Sequence, residues 1–460
     1  MRGRSDGQLR TLVRNRPDLA RPAPSDLTSL AARASTRSSV QRALDGLDRG
    51  HLQVLEALVV TGDPVDLDRS ASLLGQAIPA LDRFVQNLWD RGLLWRSSDD
   101  QHVVRAVADI LGPHPAGLGP AIFDLRGSTP ASYATPEALD AVIASAPQEA
   151  RSILDKLTWG PPIGTLSPDG PLASVGAWLL SHQLMSAVSA DHVVLPREVA
   201  LRLRGGRLHR EIALSAPTLT VTAHEQSSVD DAAGGQASEL LGLVDELAAD
   251  WGPRPPRVLR AGGLSARDFK HLSLILDVDQ PHTAFVVETA YAAGLLADDA
   301  SLEPVWAPTP SYDDWQQRPS AHRWVRLGRA WLASGRAPHL VGSAPTGGGS
   351  PINALSSDVA YPPMRQLRGD VLAELAGLPE GQAPDLACLS ERIRWRRPMR
   401  RGEIIDTVTA AVLREAEWLG ITGRGALSTA GHLLFRITES TSAAEEAIST
   451  HLPSPVEHVL

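Results

Sequence analysis

Four times along this chain a helical run closes on a turn and passes at once into an apolar strand, and that recurrence limits the folds open to it. The junctions read "DRGLLWRSSD", "SHQLMSAVSA", "AAGLLADDAS" and "WLGITGRGAL". Three of them place Gly just past the helix end, where a left-handed residue closes the last turn. Upstream of the first, "HLQVLEALVV" has helical apolar spacing and "TGDP" breaks the chain. "VDLDRSASLLG" and "IPALDRFVQNLWDRG" supply two more short helices, the last with Leu81, Phe84, Val85 and Leu88 on one face. "LLWRSSDDQHVVRAV" then reads as a β-hairpin around the polar turn Ser97 to Gln101. Three helices followed by a hairpin are the plan of a winged helix, the helix-turn-helix variant whose hairpin is the wing.

The order returns three times. "PQEARSILDKLTWG" and "GPLASVGAWLLSHQ" lead into the hairpin "LMSAVSADHVVLPREV", with a polar tip at Ser189 to Asp191. "SELLGLVDELAADWG", "LSARDFKHLSLILD" and "QPHTAFVVETAYAAG" lead into "LLADDASLEPVWAPT". "MRQLRGDVLAELAGL", "DLACLSERIRWRRP" and "GEIIDTVTAAVLREAEWLG" lead into "ITGRGALSTAGHLLF". The predicted fold class is mainly α with small β-hairpins, an α+β chain of tandem winged-helix domains. A basic helical region at 1–50 precedes winged helices at 51–115, 135–222, 238–333 and 359–440. Residues 223–237 and 334–358, rich in Gly, Ser or Pro, read as linker and loop, and 441–460 as a helical tail. Within the third domain "SYDDWQQRPSAHRWVRLGRAWLAS" adds a helix with Trp324, Leu327 and Trp331 at core spacing. A repeat spacing of roughly 90 to 125 residues excludes a short-period solenoid.

Composition supports several domains in an aqueous compartment. The 460 residues are 43% hydrophobic and 21% charged, enough for about three or four ordinary cores. Lysine occurs only at Lys156 and Lys270, so arginine is the default cation. A single cysteine, Cys388, excludes an internal disulfide and fits a reducing cytoplasm. No apolar run approaches about 18 residues, and the basic N-terminus has no apolar signal core. The expected location is cytoplasmic or nucleoid-associated, without a membrane partner. A net charge of -9 argues against a chain that coats nucleic acid over its whole surface, leaving local basic zones.

The chemistry of an enzyme is missing from the motifs. A phosphate loop needs a lysine to reach the phosphates and a Ser/Thr for magnesium; no lysine occurs within about 70 residues of "APTGGGSP" (344–351), which reads as a flexible linker. "DEL" in "LVDELAADWG" lies on an amphipathic helix rather than after an apolar strand. The 14 histidines show no metal spacing, and no nucleophile elbow is visible. Cys388 reads as a buried structural thiol. We therefore expect a non-enzymatic protein with no cofactor, metal or small-molecule substrate. The acids Asp99, Asp100, Asp298 and Asp299 fall at wing tips, where they would repel phosphate, so the first and third wings are expected to stay off nucleic acid.

The fourth unit differs. "RIRWRRPMRR" (392–401) holds six arginines and no acid, and the wing tip "TGRG" adds Arg424 between glycines. The turn and the start of the last helix face the duplex in a helix-turn-helix. The candidate nucleic-acid-binding residues are therefore Arg392, Arg394, Arg396, Arg397, Arg400, Arg401 and Arg424, with Trp395 either stacking on a base or packing in the core. The rival reading pairs the arginines with Glu391, Glu403, Glu415 and Glu417 as a neutralised helix surface.

Residues 16–59, "RPDLARPAPSDLTSLAARASTRSSVQRALDGLDRGHLQVLEALV", resemble the amino-terminal signature of the bacterial helicase-associated-domain proteins. This is the XPB-like helicase N-terminal domain family of high-GC Gram-positive bacteria. "DDWQQRPSAHRWVRLGRAWLAS", "RIRWRRPM" and "LPSPVEHVL" are similar to the same family. The resemblance implies association with DNA in repair, recombination or transcription. It also implies a further XPB-like module after Leu460, so the chain reads as a fragment or a short member. Composition leaves a second possibility open, a scaffold that binds a helicase or polymerase subunit without touching nucleic acid.

Overall fold

At each of the four helix-to-strand junctions the backbone turns left-handed, with φ of +66° at Gly92, +62° at Gln183, +70° at Gly294 and +73° at Gly420. Gln183 takes this conformation without being glycine. Its side-chain oxygen accepts from the Ser132 hydroxyl at 2.9 Å, and its carbonyl accepts from the Tyr133 hydroxyl. The closure is thus common to all four repeats, although the sequence advertises it in three. The computed structural model describes residues 3–97, 100–166, 172–189, 191–344, 348–436 and 442–450. Asp99, the middle of the second hairpin tip at residue 190, part of "APTGGGSP", and "LPSPVEHVL" lie outside the described residues.

The first repeat comprises helices Arg49–Thr61, Leu67–Leu73 and Ile78–Asp90. Asp48 and Asp66 start two of them by accepting backbone N–H groups of His51 and Arg69. Antiparallel strands Leu94–Ser97 and Asp100–Val103 follow, with Leu94 opposite Val103. In the second repeat, helices Gln148–Thr158 and Ala173–Ser181 accompany a three-stranded sheet. Its central strand His192–Val194 pairs with Ser186–Ala187 and also with Ile163–Thr165, one strand more than the hairpin expected.

The third repeat has helices Gln226–Trp251, Ala266–Ile275 and Gln280–Ala292, then strands Leu296–Asp298 and Trp306–Pro308. The added segment is two helices, Pro310–Gln316 and Ser320–Ala333, and Trp324, Leu327 and Trp331 are buried. The fourth has helices Met364–Ala376, Leu386–Arg396 and Gly402–Trp418, with Thr422–Gly423 paired to Ala426–Leu427. The architecture is mainly helical with a few small antiparallel sheets, an α+β chain. No helix among the described residues is long and apolar enough to cross a membrane.

The chain divides into two compact units, residues 1–216 with 395–400, and residues 217–394 with 401–460. In the first unit a continuous core from Val40 to Leu208 takes in both repeats, so they share one interior. Helices Asp6–Asn15 and Leu27–Ala34 of the basic N-terminal region add a small core of Leu12, Leu19, Leu30 and Ala34. In the second unit one core from Ala237 to Ile448 unites the third and fourth repeats.

Two expectations about connecting segments are corrected. Residues 223–237, read as a linker, are the strand end at Ala223 and the first turns of the Gln226–Trp251 helix. The close approach of the fourth hairpin to this helix requires glycine on the hairpin side: a Cβ on Gly423 would lie 2.1 Å from the Val229 carbonyl, and one on Gly420 would lie 2.3 Å from that of Ala233. The described residues of 334–358 carry only short 3-10 turns, but Ala337, Ala354 and Leu355 are buried and the Leu355 N–H donates to Glu288 Oε1 at 2.7 Å. That segment is anchored in the core.

Burial also sets a pH response in the first unit. Desolvation pushes the Glu56 carboxyl up to about 7 against one hydrogen bond from the Ala116 N–H, and pushes nearby His209 down to about 4. The two groups, 3.4 Å apart, are therefore mostly neutral near pH 6. Between the ordinary carboxyl value and 7 the folded state keeps a Glu56 proton that the unfolded state has released, so stability from this group falls as pH rises. Glu56→Gln is expected to raise stability by roughly 1–3 kcal/mol at pH 8 and to lose that advantage at pH 5, measured by urea unfolding at both pH values.

Candidate nucleic-acid interface

The run 392–401 begins on the Leu386–Arg396 helix and ends at the start of the Gly402–Trp418 helix, and its side chains have diverse fates. Arg392, Arg394 and Arg401 belong to the second unit, and Trp395 to Arg400 to the first. In the second unit, Arg392 Nε donates to Glu374 Oε2 at 2.7 Å and its NH1 donates to the Pro217 carbonyl at 2.7 Å. Arg394 is paired with Asp406, one turn into the following helix. Both guanidiniums are engaged inside their own unit.

In the first unit, Arg397 is buried at 9% exposure and donates to the Asp45 carbonyl at 3.1 Å. Arg396 is half-buried. Arg400 is also half-buried, with its Nε shielded from solvent and lacking a hydrogen-bond partner. Trp395 is half-buried too, and its Nε1–H donates to the Ala213 carbonyl at 2.7 Å, which makes it a packing residue.

Two of the seven candidates present exposed side chains, Arg401 and Arg424, both in the second unit. Arg401 is the N-cap residue of the Gly402–Trp418 helix and makes no side-chain cap bond. Arg424 occupies the hairpin turn between Thr422–Gly423 and Ala426–Leu427. There Arg424 and Gly425 have φ of +54° and +79°, the signature of a two-residue type I′ connection. Such a position favours Asn, Asp or Gly, and an arginine there is strained. Glu417 holds the turn: its Oε1 accepts the Arg424 N–H at 2.7 Å, and its Oε2 accepts the Thr422 hydroxyl at 2.9 Å. The side chain of Glu417 thus orders the backbone under Arg424.

For Arg392 and Arg394 the counter-ions differ from those the spacing suggested, being Glu374 and Asp406, while Glu417 serves the hairpin backbone. Glu415 is fully buried, accepting from Trp331 Nε1 at 2.6 Å and Arg368 NH2 at 3.1 Å. Desolvation opposes its charge, but His339 and Arg368 beside it hold the carboxyl below the ordinary range. Cys388, read as a buried thiol, is half-buried, 3.6 Å from the Thr220 hydroxyl oxygen. The acids of the third hairpin tip have a local use: Asp298 and Asp299 accept backbone N–H groups of Ala300 and Val305. That use follows from the Asx chemistry of "DDAS". Among the described residues no group of His, Cys, Asp and Glu could hold a metal ion.

No family model, curated protein or solved structure matches this chain.

The different environments of the arginines order their contributions to stability. Arg397→Ala is expected to cost about 1–3 kcal/mol by removing a buried side chain and its charge-assisted hydrogen bond, whereas Arg394→Ala should cost less than about 1 kcal/mol. Chemical denaturation of the two variants checks the ranking.

Proposed function

We propose that this protein is a non-enzymatic, tandem winged-helix protein that contacts duplex DNA through the last helix and hairpin of its 359–440 segment. The observation that carries this reading is Arg424. A residue held at φ +54° in a turn that favours glycine or asparagine, with its side chain exposed, has a reason other than folding. A wing brings a cation to the phosphates, and the start of the last helix enters the groove. Arg424 and Arg401 stand at those two positions. The resemblance to the helicase-associated-domain proteins supports nucleic-acid association, and with it a role in repair, recombination or transcription.

Exposed apolar residues favour a second reading, the scaffold for a helicase or polymerase subunit. Leu274 is 72% exposed and Ile275 43% exposed at the end of the Ala266–Ile275 helix. Clusters of this kind suit protein contact better than phosphate contact.

The substitution Arg424→Gly separates the readings, because glycine tolerates the backbone and removes only the charge. With Arg401→Ala, it is expected to weaken duplex binding at least fivefold and to flatten the dependence of log K on log salt by about 1–2, with the melting temperature preserved. Fluorescence anisotropy across a salt series measures both. Unchanged duplex affinity would leave the scaffold as the better description.

A further inference from the structure

A groove in the first unit, of about 590 Å³, is lined by three arginines, Arg4, Arg96 and Arg105, and by Trp89 and Trp95, with no carboxylate among its lining residues. Its walls come from the Asp6–Asn15 and Ile78–Asp90 helices, the base of the Leu94–Val103 hairpin and the start of the Arg105–Leu111 helix. In a chain of net charge -9, a groove with this lining is unusual.

The arginines are arranged rather than scattered. The Arg4 guanidinium lies 4.1 Å from the Trp89 ring centroid and that of Arg96 lies 5.0 Å from it. Arg4 donates through NH2 to the Trp89 carbonyl, while its NH1 is shielded from solvent with no acceptor. Burial lowers the Arg4 pKa although the charge of Asp90 opposes the shift, and Asp90 itself accepts from Gln86. Arg96 and Arg105 are exposed and form no ion pair among the described residues. A partly desolvated guanidinium whose NH1 lacks an acceptor, beside two exposed ones with no ion pair among the described residues, is a site for anionic oxygens.

Trp95 adds a second kind of recognition. Its ring stacks on His102 at 4.2 Å between centroids and 17° between planes, and His102 is held by Asp63. The indole remains 46% exposed, leaving part of its surface to solvent. A fixed planar face beside cations suits an unpaired base and its phosphates; bases inside a duplex offer only their edges. An acidic peptide would use the arginines and leave the indole without a partner.

The geometry points to a binding site for single-stranded nucleic acid in this groove, with a base stacked on Trp95 and phosphates on Arg4, Arg96 and Arg105. Among the described residues of the hairpin, Asp100 is not in the groove's lining, whereas Leu94, Trp95 and Arg96 are. The site is in the other unit from Arg401 and Arg424 and does not depend on the duplex contact proposed for them.

Oligothymidylate of about twelve nucleotides, added to the full chain, tests the site by anisotropy and by quenching of tryptophan emission. Trp95→Ala is expected to weaken binding roughly five- to hundredfold and to abolish most of the quenching. Arg96→Ala with Arg105→Ala should flatten the salt slope by about 0.7 for each phosphate that is no longer neutralised. All three side chains are exposed, so melting temperatures should hold, and Arg424→Gly with Arg401→Ala should leave strand binding intact. Strand affinity unaffected by Trp95→Ala and by the arginine pair would overturn the proposal. Equal competition by polyglutamate would assign the groove to an acidic peptide instead, and thymidine monophosphate binding as tightly as the strand would assign it to a nucleotide; either result refutes a strand site.

Discussion

The second unit is organised around one buried carboxylate. Glu415, on the Gly402–Trp418 helix, accepts from Trp331 of the Ser320–Ala333 helix and from Arg368 of the Met364–Ala376 helix. Arg368 in turn donates to the carbonyls of Trp331, Ser334 and Arg336, ending the first of those helices and fixing the chain beyond it. Charges so deeply buried are tolerable because they pair with each other and share hydrogen bonds with Trp331 and the chain's carbonyls, and removing either member would strand the other. The arrangement joins the helix after the third hairpin to two helices of the fourth repeat, which is why those repeats share a core. Arg336 with Glu288, and Glu288 with the Leu355 N–H, extend the same logic into the 334–358 segment.

In the first unit buried arginines are satisfied largely by backbone carbonyls. Arg204, nearly fully buried, donates to the carbonyls of Thr158, Ala116, Leu208 and Gly117, and burial pulls its pKa down to about 10. Arg16 is likewise buried and donates to the Arg91 and Ala34 carbonyls. A planar guanidinium with five donors can satisfy several chain ends at once, a task for which an ammonium is too compact. In a chain with only two lysines, arginine serves as internal staple as well as surface cation.

This dual use explains how far the candidate site could be read from residue order. "RIRWRRPMRR" looks like a surface of positive charge, yet Arg392, Arg394 and Arg397 are bound to Glu374, Asp406 and the Asp45 carbonyl, partners 18, 12 and 352 positions away. Arg424 was legible because its neighbours are glycines and a two-residue turn has a local code. The groove around Arg4, Trp89, Trp95 and Arg105 was not, because its residues come from four separate segments and form no motif. The acidic tip of that hairpin drew attention to repulsion, while the cations gather at its base.

Local chemistry in the residue order was sufficient for the four helix-to-hairpin junctions, the caps at Asp48, Asp66, Ser265 and Asp279, and the mainly helical α+β class, since each depends on neighbours within a few positions. Even there Gln183 shows that side-chain bonds from Ser132 and Tyr133 can replace a missing glycine. Packing decided the rest. It turned "SSVDDAAGGQAS" from apparent linker into helix, with Val229, Ala233 and Ala237 buried on its packed face. It merged four repeats into two cores, and it determined which arginines remain on the surface, because burial and pairing depend on residues that only the folded chain brings together.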